Sequence, residues 1–149
     1  MSKAFTREED APPERSTRTR SASGLSPGAL NYLTADGARL LRAELAASPD
    51  SHSERAAEIG RILATATVVE PPAEAPDSAV FGAKVELQES TGRVECFRIV
   101  GVDEVNLAPG WVSWISPIGR SLLGAEPGQR VILEVAGERR KFTVTRIGY

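Results

Sequence analysis

The chain has 149 residues, a formal net charge of −2, 41% hydrophobic and 26% charged residues, a balance that excludes a wholly disordered polymer and a chain-wide basic field for nucleic acid. A single cysteine, Cys96, excludes an internal disulfide framework and favours a reducing compartment. No run approaches the ~18 apolar residues of a membrane span, and "MSKAFTREED" lacks the apolar centre of a secretory signal, so a cytoplasmic protein without a membrane partner is expected.

Residues 1–29 are rich in Pro, Ser, Arg and acids without an apolar period. Ordering them would bury too little to offset the lost entropy, so a disordered tail is expected. Its "RSTRTR" piece is offset by Glu8, Glu9, Asp10 and Glu14. Residues 30–69 read as a short antiparallel helical hairpin. In "LTADGARLLRAELAAS", Thr34 caps, Asp36 suits the positive end of the helix dipole, and Ala38, Leu41 and Leu45 share a face until Pro49 stops the helix. In "SHSERAAEIGRILATATVV", Ser51 and Glu54 match a capping box, and Ala56, Ile59, Leu63 and Ala66 form the apolar stripe.

Residues 70–78, "EPPAEAPDS", carry prolines and acids without periodicity and read as a linker. A second module is expected over 79–149. "VFGAKVELQ" alternates, with Phe81, Ala83, Val85 and Leu87 on one side. "ESTGR" turns into a paired strand, "VECFRIVGV", and "DEVNLAPG" loops to "WVSWI". There Trp111 and Trp114 project to opposite faces, one toward the core and one outward. Ser116 then caps a two-turn helix with Pro117 at its first position, Ile118, Leu122 and Leu123 on its stripe, and Gly124 as its left-handed terminator. "VILEV" and "RKFTVTRIGY" form a hairpin with Gly137 in its turn. The module is thus an antiparallel sheet of about five strands with one helix inserted, and the fold class is α+β.

The run "FGAKVELQ…FRIVGVDE…ISPIGRSLLGAEPGQRVILEVAGERRKFTVTRIGY" resembles the C-terminal domain of the bacterial Gre transcription elongation factors, and "LTADGARLLRAEL" resembles the start of their N-terminal helical hairpin. The resemblance implies an FKBP-like C-terminal domain and RNA polymerase as partner. In that family the domain docks at the rim of the polymerase secondary channel, and a long antiparallel coiled coil carries acidic residues that help the polymerase hold a catalytic magnesium ion. The factor itself is no enzyme. This chain departs from the long-coil members, since "LRAELAASPD" passes directly to "SERAAEIGRILATATVV" and the acidic tip is missing. The expectation is a polymerase-binding regulator without cleavage stimulation. Two alternatives remain: a Rnk-like regulator of nucleoside diphosphate kinase, which also has a shortened hairpin, and a peptidyl-prolyl isomerase on an FKBP-like fold. The isomerase would need an aromatic-lined pocket, and only 5% of the residues are aromatic.

The candidate polymerase-binding residues implied by the resemblance are Ser116, Pro117 and Ile118. Arg139, Arg140 and Lys141, just after a hairpin turn, are the candidate basic contact for polymerase or, weakly, for nucleic acid; a solvated strand edge is the alternative. Asp50 and Glu54 lie at the shortened turn and are candidates for a substitute magnesium pair, but a turn acid and a first-turn helix acid describe them better. No metal, cofactor, small-molecule substrate or catalytic residue is expected. His52 has no second metal-binding residue beside it and reads as a surface turn residue, Cys96 reads as a small core residue, and "GAEPGQ" lacks the lysine and helix of a phosphate-binding loop.

Overall fold

The computed structural model describes residues 30–149; the expected tail, 1–29, lies outside the described residues. The chain opens with β1 (Tyr32–Thr34) and α1 (Ala35–Ala47), turns back through α2 (Glu54–Thr65), and closes this part with β2 (Thr67–Val69). Thr34 caps α1 as expected, its side chain accepting a bond from the Gly37 amide. The cap of α2 is Ser53, not Ser51, with its hydroxyl accepting from the Ala56 amide. Asp50 organises the intervening turn instead, its carboxylate accepting from the His52 amide at 2.9 Å. α2 ends before the expected stripe does, and Ile62 is buried in place of Ala66. The cause is β2: Thr67, Val68 and Val69 leave the helix to pair in parallel with Tyr32, Leu33 and Thr34. β-branched residues give up little by doing so. Leu33, Ala38, Leu41, Ile59 and Ile62 form the hairpin's core.

No helix or strand forms between β2 and β3 (Lys84–Glu89). β4 (Val94–Val100), β5 (Trp111–Ser113), α3 (Pro117–Leu122), β6 (Arg130–Val135) and β7 (Glu138–Gly148) complete the chain. The five strands are ordered β5-β4-β3-β7-β6. Three pairings are antiparallel, whereas β5 runs parallel to β4, which the all-antiparallel expectation missed. Period-two alternation sends Val85, Leu87, Ile99, Val131, Leu133, Phe142 and Val144 into one core, where Leu122 of α3 joins them. Because α3 touches both edge strands, β5 and β6, the sheet is curled around it. Gly124 follows α3 in the left-handed conformation, with φ of 83°, as the sequence led us to expect. Cys96 differs from expectation: it faces solvent, because its register partner Glu86 belongs to the outward-facing set of β3.

Hairpin and sheet are joined through one buried carboxylate. Glu104, on the loop after β4, is completely inaccessible to solvent. It accepts bonds from the Thr34 amide at 3.1 and 3.0 Å, from the Thr34 hydroxyl at 2.5 Å and from the Gly101 amide at 2.6 Å. Two glycines make the approach possible. A Cβ on Gly37 would lie 1.7 Å from Glu104 Oε1, and one on Gly101 would lie 1.8 Å from the Tyr32 carbonyl oxygen. Two further links flank the carboxylate: Asn31 donates to Asp103 at 2.7 Å, and buried Arg98 donates to Asp36 at 2.8 Å while stacking 5.1 Å from the Trp111 ring. Burial pushes the Glu104 carboxyl above the usual carboxylate range, against the bonds from Thr34 and Gly101 and the nearby Arg98 charge. Its hydrogen bond from Arg98, and then that from Arg39, hold Asp36 below that range.

Glu104→Ala is expected to cost about 2–4 kcal/mol, since it strands the Thr34 and Gly101 amides and opens a void. Glu104→Gln, which keeps the shape and one acceptor, should cost clearly less; urea unfolding followed by tryptophan fluorescence separates the two. A raised native pKa gives a contribution to stability that is full below the unfolded value of ~4.3 and is lost as pH rises through the native one. The parent chain should therefore gain stability relative to Glu104→Gln as pH falls through the native titration of the carboxyl toward the unfolded value. Asp36 has the opposite sign, its contribution being lost as pH falls below the ordinary carboxylate range.

Candidate functional site

Ser116 is the N-cap of α3. Its hydroxyl donates to the Ser113 carbonyl at 2.6 Å and accepts from the Gly119 amide at 3.0 Å. Pro117 occupies the first turn, where its missing N–H leaves no bond unmade. Gly119 lets the helix press onto the strand end, since a Cβ there would sit 2.0 Å from the Ser113 carbonyl oxygen. α3 is thus held tightly at its start. Leu122 turns into the sheet core, and Ile118 is left half-buried at the rim.

Pro117 and Ile118 line a groove of about 310 Å³ together with Ser121, Ile132, Leu133, Glu134 and Arg139. The fold therefore brings two of the three Ser-Pro-Ile residues together with one of the three basic candidates. Ser116 lines a second hollow, of about 480 Å³, which Arg55 and Glu58 of α2 also border. The Ser116–Ile118 step is a ridge between the two.

The basic run divides by strand alternation. Arg140 faces inward, where it is bonded by Glu89 and Glu95 and lies 5.2 Å over the Phe142 ring. It is a clamp at one end of the core, and its hydrogen bond holds the Glu89 carboxyl below the usual range. Arg139 and Lys141 point the other way, opposite Glu134 and Ile132 of β6. Sequence reasoning missed Ile132, whose surface is 52% exposed. Its signal was present in "VILEV", where an isoleucine stands at the outward position of an alternating strand.

Asp50 and Glu54 lie at the turn between α1 and α2. One Asp50 oxygen is engaged in its own turn, and Glu54 is the first residue of α2. Among the described residues no group of three or more His, Cys, Asp or Glu side chains could hold a metal. The His52 ring is fully in solvent, 4.0 Å from Asp50. Both tryptophans are half-buried: Trp111 lies against Arg98, and Trp114 meets Tyr32 edge-on at 5.8 Å. Tyr32, Phe81 and Trp114 line an apolar hollow of about 150 Å³. Three aromatic residues are thus gathered around a space well below the ~300–1,000 Å³ of ordinary ligand pockets.

The sequence model of the family described as "Transcription elongation factor, GreA/GreB, C-term" matches residues 74–149, which include the ridge, the groove and the whole sheet. The chain belongs to the GreA/GreB family. Transcription elongation factor GreB of Neisseria meningitidis is 39% identical over 88 residues, covering 58% of this chain and 54% of that protein. Transcription elongation factor GreA of Alkalilimnicola ehrlichii is 37% identical over 97 residues, covering 64% of this chain and 61% of the relative. The chain thus spans little more than half the length of these relatives. Among solved structures, a GreA/GreB elongation factor from Nitrosomonas europaea aligns with a TM-score of 0.47 at 19% identity, over 81% of this chain and 99% of that one. The GreA factor homolog Gfh1 of Thermus thermophilus aligns with a TM-score of 0.45 at 20% identity, over 81% and 100%.

Replacing Ser116 by Ala should cost about 1 kcal/mol through loss of the cap, whereas Ile132→Thr, at an exposed position, should change stability by less than about 0.5 kcal/mol. Thermal unfolding of the two variants beside the parent chain tests this difference.

Proposed function

We propose that this GreA/GreB family member binds RNA polymerase through the Ser116–Ile118 ridge and its adjoining groove, near the secondary channel, and does not stimulate transcript cleavage. Reach carries this reading. At ~1.5 Å per residue, α1 with 13 residues and α2 with 12 extend about 20 Å. The acids at their turn, Asp50 and Glu54, lack the donor set that a small, hard cation takes. The docking reading is supported by a capped helix start beside a groove with an exposed isoleucine and with Arg139 and Glu134 at its edge, features that suit a partner surface of mixed apolar and polar character. In this role the protein is a regulator, not an enzyme, and the small aromatic hollow is too confined to favour an isomerase.

The test uses purified polymerase stalled in a backtracked complex. The chain alone is expected to leave the transcript uncut and, added with a full-length GreA or GreB factor, to slow that factor's cleavage by competition. Ile132→Glu should weaken polymerase binding about tenfold or more, as expected for an apolar anchor replaced by a charge. Cleavage by the chain alone, or unchanged binding by the variant, overturns the proposal. Retention of nucleoside diphosphate kinase with no retention of polymerase replaces it with the Rnk-like reading.

A further inference from the structure

The cations of the described residues are unevenly partnered. Arg39, Arg55, Arg93, Arg98 and Arg140 each lie within ion-pair distance of a carboxylate. Lys84, Arg130, Arg139, Lys141 and Arg146 are all exposed, and none of them forms an ion pair among the described residues, nor do Arg42, Arg61 and Arg120 on the helices. Strand register puts these five on one surface, the outer face of the curled sheet. Lys84 shares its side of β3 with Glu86, Arg146 stands opposite Glu86, Arg130 stands opposite Thr143, and Arg139 and Lys141 alternate along β7 with inward-facing Arg140 and Phe142. Among the described residues Glu86 and Glu134 oppose them on that face and Glu89, held by Arg140, borders it, and the Glu86 carboxylate accepts a bond from Thr145 at 2.9 Å. A chain whose net charge is −2 therefore carries a locally cationic sheet face.

The face also has a shape. A trough of about 690 Å³ runs across it, lined by Arg130 and Lys141, by the polar side chains of Gln88, Thr143 and Thr145, by exposed Ile132, and by Glu89, whose carboxylate Arg140 holds. Alternate residues of one strand are about 6.7 Å apart, comparable to successive phosphates of an extended single strand. Among the described residues, the aromatic residue bordering the trough, Phe142, is buried in the core and gives bases no face to stack on, which leaves the sugar-phosphate backbone as the part such a surface can grip. Hydroxyls and an amide between the cations complement a ribose 2′-OH.

We infer that the outer face of the sheet, centred on Arg130, Lys141 and Arg146, binds the backbone of single-stranded RNA without sequence preference. This inference does not depend on polymerase docking, and its test contains no polymerase, so the two fail separately. Fluorescence anisotropy of a labelled 12-nucleotide RNA is titrated with the full chain at several salt concentrations. For three or four phosphates the log-log salt slope should be about −2 to −3, at ~0.7 per phosphate. The triple variant Arg130→Ser, Lys141→Ser and Arg146→Ser should lose at least tenfold in affinity and flatten that slope, while circular dichroism shows the fold retained. Arg42→Ser with Arg61→Ser, on the helices, and a variant with Arg15, Arg18 and Arg20 changed to Ser should both bind as the parent does. Absence of salt-dependent binding overturns the inference, as does a triple variant that binds like the parent or loss of binding through the Arg15, Arg18 and Arg20 changes alone. Equal affinity for a matched DNA strand overturns the choice of RNA, and capture of polyglutamate with no capture of RNA reassigns the face to an acidic protein.

Discussion

A carboxylate removed from water must be met by donors, and the fold is arranged around the place where this happens. Glu104 lies where the loop after β4 passes under the start of α1, and Thr34 supplies both its amide and its hydroxyl. The same hydroxyl caps α1 through the Gly37 amide at 3.0 Å, so the bond that begins the helix and the bond that attaches it to the sheet share one oxygen. Removing a partner from such a network costs more than making the network gains, because the stranded group stays buried. That asymmetry holds the hairpin in one orientation, and Arg98 and Asn31 reinforce it from either side.

Everything displayed to a partner inherits this rigidity. With the hairpin fixed, α2 borders the hollow beside Ser116, and the Ser116–Ile118 ridge stands between that hollow and the groove against β6. The curl of the sheet places α3 at both edges, and among the described residues no helix covers the opposite face of the sheet. Cations that would compete for the core's few acids are separated by strand alternation: Arg140 is clamped inward, while its neighbours Arg139 and Lys141 are sent outward.

Local signals were the legible ones. The Thr34 and Ser116 caps, Pro117 at a helix start, Gly124 at its end and the alternation of β3 each depend on a few adjacent residues, and the structure contains them all. Where two local solutions were close in energy, the reading went astray. Ser51 and Ser53 both offer a capping hydroxyl, and the Asx turn at Asp50 favours the later one. Thr67 to Val69 suit helix or strand, and β1 supplies the pairing that decides it. Cys96 was assigned inward by its chemistry, although its place between Glu95 and Phe97 made the facing a matter of register.

Length, periodicity and punctuation in the chain determined that there would be a short helical hairpin, an α+β fold and a capped helix at Ser116, because helix caps, turns and alternation are set by neighbours within a few residues. The tertiary structure alone decided that Glu104 would be buried against Thr34, that Pro117, Ile118, Ile132 and Arg139 would share a groove, and that five unpaired cations would share a face. Those outcomes depend on contacts between residues far apart in the chain, 70 positions in the case of Thr34 and Glu104. Burial and strand register, which set both the cost of a charge and the direction of a side chain, exist only once the distant segments have packed.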